Sequence, residues 1–213
     1  MKGVGRLIRK QNSCVRLLGI DPGIAATGWG VIEHELGRSR LIGHGTITTT
    51  TAEPGHERLA QIHRALLEVI DTYHPAAAAI EELFGGINLR TALAVGQARG
   101  VAVLACAQRG VTPHDYTPLR IKQAVVGYGR ASKSQVQQMV KALLCLPKVP
   151  SPDHAADALA VAICHAHSMQ SNSLVAAAAA QSRPVKRAVA AAQPRPSRHN
   201  ETGGPGFTAG ELP

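Results

Sequence analysis

Aromatic residues are scarce in this chain of 213 residues, at 3% with one Trp, three Tyr and two Phe. A core built here must therefore rest on Leu, Val, Ile and Ala, and a hydrophobic share of 45% supplies enough of them. Cysteine is equally sparse. Cys14, Cys106, Cys145 and Cys164 stand far apart with no CxxC pair. That excludes a zinc ribbon and argues against a disulfide framework, and it suits small buried thiols in a reduced compartment. No apolar run approaches the roughly 18–20 residues needed to cross a bilayer. Met1 to Ser13 is basic but has no apolar h-region, so it does not read as a secretory signal, and a cytoplasmic protein is expected.

Acidic residues are missing from one particular stretch. Gly85 to Pro152 holds nine basic residues and a single acid, Asp115, whereas Arg16 to Phe84 holds five basic and nine acidic ones. Two further acids, Asp153 and Asp157, follow the basic stretch. The formal net charge of +9 thus conceals a separation of signs. Carboxylates from two ends of a domain with lysines and arginines between them suit a nuclease, in which acids hold metal and cations hold phosphate. Charge alone leaves ordinary solvated faces as an equal reading.

Three segments are expected: a basic, disordered N-terminal extension over 1–14, a folded domain over 15–168, and a disordered low-complexity tail over 169–213 rich in Ala, Pro, Ser, Gln and Gly. In the folded part, Val15 to Ile20 is a buried-strand run, interrupted by Asp21-Pro22-Gly23 and resumed at Gly28 to Ile32; Leu41 to Thr50 is a third strand. The period then changes. Leu59, Ile62, Leu66 and Ile70 fall on one face of a helix over Glu57 to Tyr73. Ala76 to Ile80 is a central strand, Asn88 to Gln108 an Ala-rich helix and Val111 to Tyr116 a strand. Helices open at Thr117-Pro118, at Ser132 and at Ser151-Pro152-Asp153. Strands followed by helix–strand alternation make an α/β fold with a mixed sheet.

Three acids stand out. Asp21 ends a buried strand, where the sheet fixes its backbone, although a turn-forming Asp before Pro-Gly is an equally simple account. Glu81 ends another apolar strand, and because Glu81 and Glu82 point to opposite faces only one can join a shared cluster. Asp157 lies inside a helix otherwise lined by Ala, Leu and Val, where a charge is costly without compensation. His154 and Asp153 share its face, and for Asp153 helix-dipole complementarity is a sufficient explanation. Oxygen donors with few sulfurs favour Mg²⁺ or Mn²⁺ over zinc.

Taken together, Ile20-Asp21-Pro22-Gly23, Thr27-Gly28, Ala79-Ile80-Glu81, Gly96-Gln97-Ala98-Arg99-Gly100, Lys133-Ser134-Gln135-Val136 and Asp153-His154-Ala155-Ala156-Asp157-Ala158-Leu159-Ala160 resemble, in order and spacing, the RuvC Holliday-junction resolvases. The resemblance covers Val15 to His167. It implies an RNase H-like fold, a five-stranded mixed sheet flanked by helices, working as a homodimer on four-way DNA junctions. It also implies a metal-ligating and catalytic set on Asp21, Glu81, His154 and Asp157, with relatives carrying either Asp or His at the His154 position. Two Mg²⁺ ions per site, replaceable by Mn²⁺, would drive phosphodiester hydrolysis and leave 5′-phosphate and 3′-hydroxyl ends. DNA contacts are implied at Lys122 and Lys133 and a base-stacking aromatic at Phe84; Gly85 stands where many relatives have a second aromatic. A junction-binding protein and a branch-migration motor are the implied partners. The helix at Asn88 to Gln108, with Ala94, Gly96, Ala98 and Gly100, is the candidate dimer surface, packing against the chain's own sheet being the alternative.

Three rivals remain at this stage. Asp21-Pro22-Gly23 with Thr27-Gly28 also matches the first phosphate loop of actin- and hexokinase-like ATPases, but the chain has neither a second such half nor a Gly-rich adenosine motif. A non-catalytic DNA-binding module would have no reason to gather acids. An RNase H-like nuclease acting on another nucleic acid is not excluded by the acids themselves.

Overall fold

The computed structural model describes residues 14–82 and 88–181, with side chains described as far as residue 172. Three strands come first: β1 (Val15–Asp21), β2 (Ala26–Glu35) and β3 (Arg38–Thr48). They form an antiparallel meander with Gly19 opposite Gly30 and Asp21 opposite Gly28. Next come α1 (Gly55–Tyr73), β4 (Ala77–Glu81), α2 (Leu89–Gln108) and β5 (Thr112–Tyr116). Here the crossover helices force parallel pairing, β4 on β1 and β5 on β4. The result is one five-stranded mixed sheet in the order β3-β2-β1-β4-β5. Helices α3 (Pro118–Val126), α4 (Lys133–Leu143) and α5 (Asp153–Gln181) complete the chain. This is the RNase H-like arrangement that the sequence resemblance implied.

Side-chain alternation divides the core between the two sheet faces. Leu18, Ile20, Val31, Ala78 and Ile80 pack on one side against Ile62, Leu66 and Ile70 of α1 and Ala98, Ala102 and Ala105 of α2. Leu17, Ile32 and Ala79 pack on the other against Ile121 and Val125 of α3, Val140 of α4, and Leu159 and Ile163 of α5. Among the described residues, no large aromatic is fully buried. Odd-numbered positions of β1 and β4 face α5, so Asp21 and Glu81 both emerge on that side while Glu82 faces away.

Helix starts follow their capping chemistry. Thr117 accepts from the Arg120 N–H and Pro118 follows it; Ser132 and Gln135 form a reciprocal capping box; Asn88 accepts from the Arg90 N–H. The last helix starts later than its Ser-Pro signature suggests, with the Pro152 carbonyl accepting from the Ala155 N–H at 3.0 Å. It also ends later. Helix α5 continues to Gln181, which corrects the disorder expected from residue 169, because Ala-rich sequence sustains helix even without an apolar face. The chain divides into compact units at Ser173 and Leu174, the sheet and all five strands lying in the first. Among the described residues no helix is long and apolar enough to cross a membrane.

The buried His165 of α5 meets polar residues of β5. His165, 4% exposed, stacks on His114 with ring centroids 4.4 Å apart, and its Nδ1 lies 2.7 Å from the Tyr116 hydroxyl. Burial, with His114 adding to it, pushes the His165 pKa down to about 4.

Candidate metal-binding cleft

Parallel pairing places Ile20 beside Ile80. The next residue on each strand, Asp21 and Glu81, therefore projects from neighbouring strand ends on the α5 side. The turn after Asp21 is held by the fully buried Thr27, whose hydroxyl donates to the Gly23 carbonyl at 2.7 Å. Gly28 has a different task. A Cβ there would lie 1.9 Å from the His154 carbonyl oxygen, and one on Gly19 would lie 1.9 Å from that of Ala158. Only glycine lets the first turns of α5 descend onto β1 and β2. That descent brings His154 and Asp157 over Asp21.

The outcome is a compact donor set. Asp21, His154 and Asp157 each offer a ligand atom, all within 4.8 Å of one another, and they are the one such group among the described residues. His154 Nδ1 lies 2.8 Å from Asp21 Oδ2, so an Nδ1–H donates to that carboxylate. Two carboxylates and an imidazole at this spacing fit a hard divalent cation. Glu81 stands outside the three-residue group but lines the adjoining cleft of about 200 Å³ together with Asp157, Lys122, Lys133, Pro118, Ile121, Val136 and Ala160.

The electrostatics agree with this geometry. Burial, reinforced by the charges of Asp21 and Asp157, pushes Glu81 up to about 7, more than Lys122 and Lys133 offset. Burial also raises Asp21 above the ordinary carboxylate range; its hydrogen bond with His154 works the other way, and Asp157 adds to the rise. Such mutual repulsion of partly buried acids is what a cation relieves. Lys133 supplies part of that relief here, its Nζ lying 3.0 Å from Asp157 Oδ2 and 3.2 Å from Asp153 Oδ2. Burial disfavours the Lys133 ammonium, but Asp157 and Asp153 outweigh it and hold its pKa above normal.

Four of the residues singled out in the sequence, Asp21, Glu81, His154 and Asp157, thus converge on one end of the sheet, and Lys122 and Lys133 share the cleft with Glu81 and Asp157. Phe84 and Gly85 lie outside the described residues. On α2 the sequence expectation needs correction at Ala98, which is fully buried against the sheet and so cannot form a dimer surface. The large apolar side chains left exposed on that helix are Leu89, Leu93 and Leu104, and Gly100 is open. Two contributions escaped sequence reasoning. Thr27 gave a signal in its place after Asp21-Pro22-Gly23, but its turn-closing hydrogen bond did not. Gln137, whose Nε2 donates to Asp153 Oδ1 at 3.1 Å, gave none.

Comparison with known proteins agrees with the geometry. Residues 17–165 match the family model for crossover junction endodeoxyribonuclease RuvC. The chain is 55% identical over 153 residues to crossover junction endodeoxyribonuclease RuvC of Chloroflexus aurantiacus, spanning 72% of this chain and 93% of that protein. It is 57% identical over 151 residues to the RuvC of Alkaliphilus oremlandii, spanning 71% and 92%. Among solved structures, T. thermophilus RuvC in complex with Holliday junction substrate superimposes with a TM-score of 0.72 at 38% identity, covering 74% of this chain and 96% of that one. The same fold, the same order of motifs and a match over nearly the whole length of these relatives lead to one conclusion: the chain belongs to the RuvC family of crossover junction endodeoxyribonucleases.

Proposed function

We propose that this chain is a structure-selective endodeoxyribonuclease that resolves four-way DNA junctions by paired symmetric nicks, in homologous recombination and DNA repair. The observation that carries the reading is the convergence of Asp21, His154 and Asp157 to within 4.8 Å beside a cleft holding Glu81, Lys122 and Lys133. Its substrate class is supported by the junction bound to the 38%-identical T. thermophilus relative.

Asp21, Glu81, His154 and Asp157 are the residues that would hold the metal. Two Mg²⁺ ions, with Mn²⁺ able to substitute, would supply Lewis acidity to the attacking water and the leaving 3′-oxygen. The chain's own groups do the rest. Lys122 and Lys133 attract and seat the phosphate in an otherwise acidic cleft, which without them would repel DNA. His154 keeps a proton on Nδ1 toward Asp21, which fixes the ring and leaves Nε2 as the nitrogen for ligation or proton transfer. Apolar walls from Ile121, Val136 and Ala160 restrict water around Glu81 and Asp157. Phe84 would stack on an unpaired base near the crossover, a contact worth roughly 1–3 kcal/mol. Products carry 5′-phosphate and 3′-hydroxyl ends, ready for ligation.

A four-way junction has approximate two-fold symmetry, so a homodimer places two clefts on opposed strands. Leu89, Leu93 and Leu104, exposed at 74%, 62% and 50%, lie on α2 and supply the apolar face such a dimer buries. A junction-binding protein and a branch-migration motor complete the proposed partners, and the cytoplasm is the proposed site of action. The test is cleavage of an end-labelled synthetic junction in Mg²⁺, with linear duplex and RNA–DNA hybrid as controls, for wild type and Asp21→Asn. Paired nicks in the junction alone, lost in the variant while junction binding survives, are expected. Binding without cleavage in either metal would leave a non-catalytic module, and preference for the hybrid would assign another substrate.

A further inference from the structure

Lys133 occupies an electrostatically awkward place. It is the first residue of α4, directly after the Ser132 cap, where the helix dipole disfavours a cation. Its compensation comes from α5. Lys133 and Gln137 are four residues apart on α4, and Asp153 and Asp157 are four apart on α5, so each pair shares a helix face. The two faces meet as a chain of contacts: Gln137 Nε2 donates to Asp153 Oδ1 at 3.1 Å, Asp153 Oδ2 is 3.2 Å from Lys133 Nζ, and Lys133 Nζ is 3.0 Å from Asp157 Oδ2.

The two carboxylates around Lys133 differ in kind. Asp157 belongs to the donor cluster with Asp21 and His154, whereas Asp153 is outside it and sits at the solvent edge with its side chain 68% exposed. Once Asp157 oxygens are committed to a cation, Asp153 is the acid still holding the ammonium. An exposed carboxylate beside a DNA groove otherwise only repels phosphate, so a nuclease without a use for it would be better served by a neutral residue. We infer that Asp153, braced by Gln137, is a positioning residue that holds the Lys133 ammonium at the lip of the cleft, where it meets the substrate phosphate. The inference rests on the nuclease reading above and deepens it. It replaces the helix-dipole account of Asp153 that sufficed for the sequence.

The two accounts separate in kinetics. Single-turnover cleavage of a saturating four-way junction in Mg²⁺ is measured for the full chain and for Asp153→Asn, Asp153→Glu, Lys133→Ala and the Asp153→Asn/Lys133→Ala pair, with junction affinity measured without divalent metal. Asp153→Asn is expected to slow cleavage about tenfold. Affinity should stay unchanged or rise, because a repulsive charge is gone. Asp153→Glu should restore most of the rate, and Asp153→Asn should add nothing in the Lys133→Ala background. Wild-type rates in Asp153→Asn, or losses that multiply in the double variant, would overturn the positioning role while leaving the nuclease intact. A wild-type chain that cuts no junction would overturn both readings.

Discussion

Replacing Glu81 by glutamine should make the metal-free protein more stable above neutral pH while abolishing its activity. Glu81 is held by the β4 backbone in a cleft where burial and the neighbouring Asp21 and Asp157 push its pKa up to about 7, against an ordinary value of 4.5. The sign follows directly. An acid whose folded pKa lies above its unfolded one releases its proton more readily when the chain unfolds, so its stabilising contribution is intact below about 4.5 and is lost as pH rises through 7. Each unit of difference corresponds to about 1.4 kcal/mol. Allowing for partial solvation, the wild type should forfeit about 1–3 kcal/mol between pH 5 and pH 8 on this account alone. The amide of Glu81→Gln keeps the shape without the charge. Thermal unfolding of the two proteins in chelator should then give similar Tm values near pH 5 and a variant higher by about 2–12 °C at pH 8, using about 2–4 °C per kcal/mol for a chain of this size. Added Mg²⁺ should raise the wild-type Tm at pH 8 and raise that of the variant less, since a ligand stabilises the state that binds it. Equal Tm values at pH 8, or a gap of the same size at pH 5, would refute the electrostatic reasoning and with it the case that this carboxyl is held poised for a cation.

Other perturbations test other parts of the architecture. Gly28→Ala should lower stability by about 1–3 kcal/mol, measured by urea unfolding. Because the new methyl meets the His154 backbone and lifts α5 from Asp21, it should also cut junction cleavage by about a hundredfold. His165, pushed down to about 4 by burial and by His114, contributes stability that is present above about 6.5 and lost as pH falls toward 4. His165→Gln should therefore flatten the wild type's fall of up to about 2 kcal/mol between pH 7 and 5 in urea titrations, whatever its effect at pH 7. Leu93→Glu, at a side chain 62% exposed on α2, should leave the Tm of the monomer unchanged and shift the mass seen by light scattering from dimer to monomer; an unchanged mass would move the proposed interface elsewhere.

Much of this molecule was legible in the order of its residues because the signals are local. Strand β1 is a short aliphatic run that ends at a Pro-Gly turn; α1 repeats Ile62, Leu66 and Ile70 on one face; Ser132 and Gln135 spell a capping box. Hydrophobic period and cap chemistry act within a few residues, so they can be read without knowing the fold. The candidate acids were legible for a related reason, since a charge at the end of a buried strand or inside an Ala-Leu helix contradicts its surroundings. What the chain order could not reveal was distance. Asp21 and His154 are 133 residues apart and meet at 2.8 Å only because Gly19 and Gly28 let α5 settle on the sheet, and Glu81 joins them because β4 pairs parallel to β1. Nor could it assign Ala98 to the interior and Leu93 to the surface of one helix whose Ala-rich sequence is apolar nearly all round, so that period alone points to no face. The role of Asp153 depended on the same kind of meeting. A helix-start acid is commonplace by itself, and it acquired a partner only when two helices, α4 and α5, brought Gln137 and Lys133 to it. Local pattern determined which elements form and which residues are chemically out of place; the packing of those elements decided which of them touch, because the electrostatic and hydrogen-bond contacts that make a site act over a few ångströms of space and not over positions in a chain.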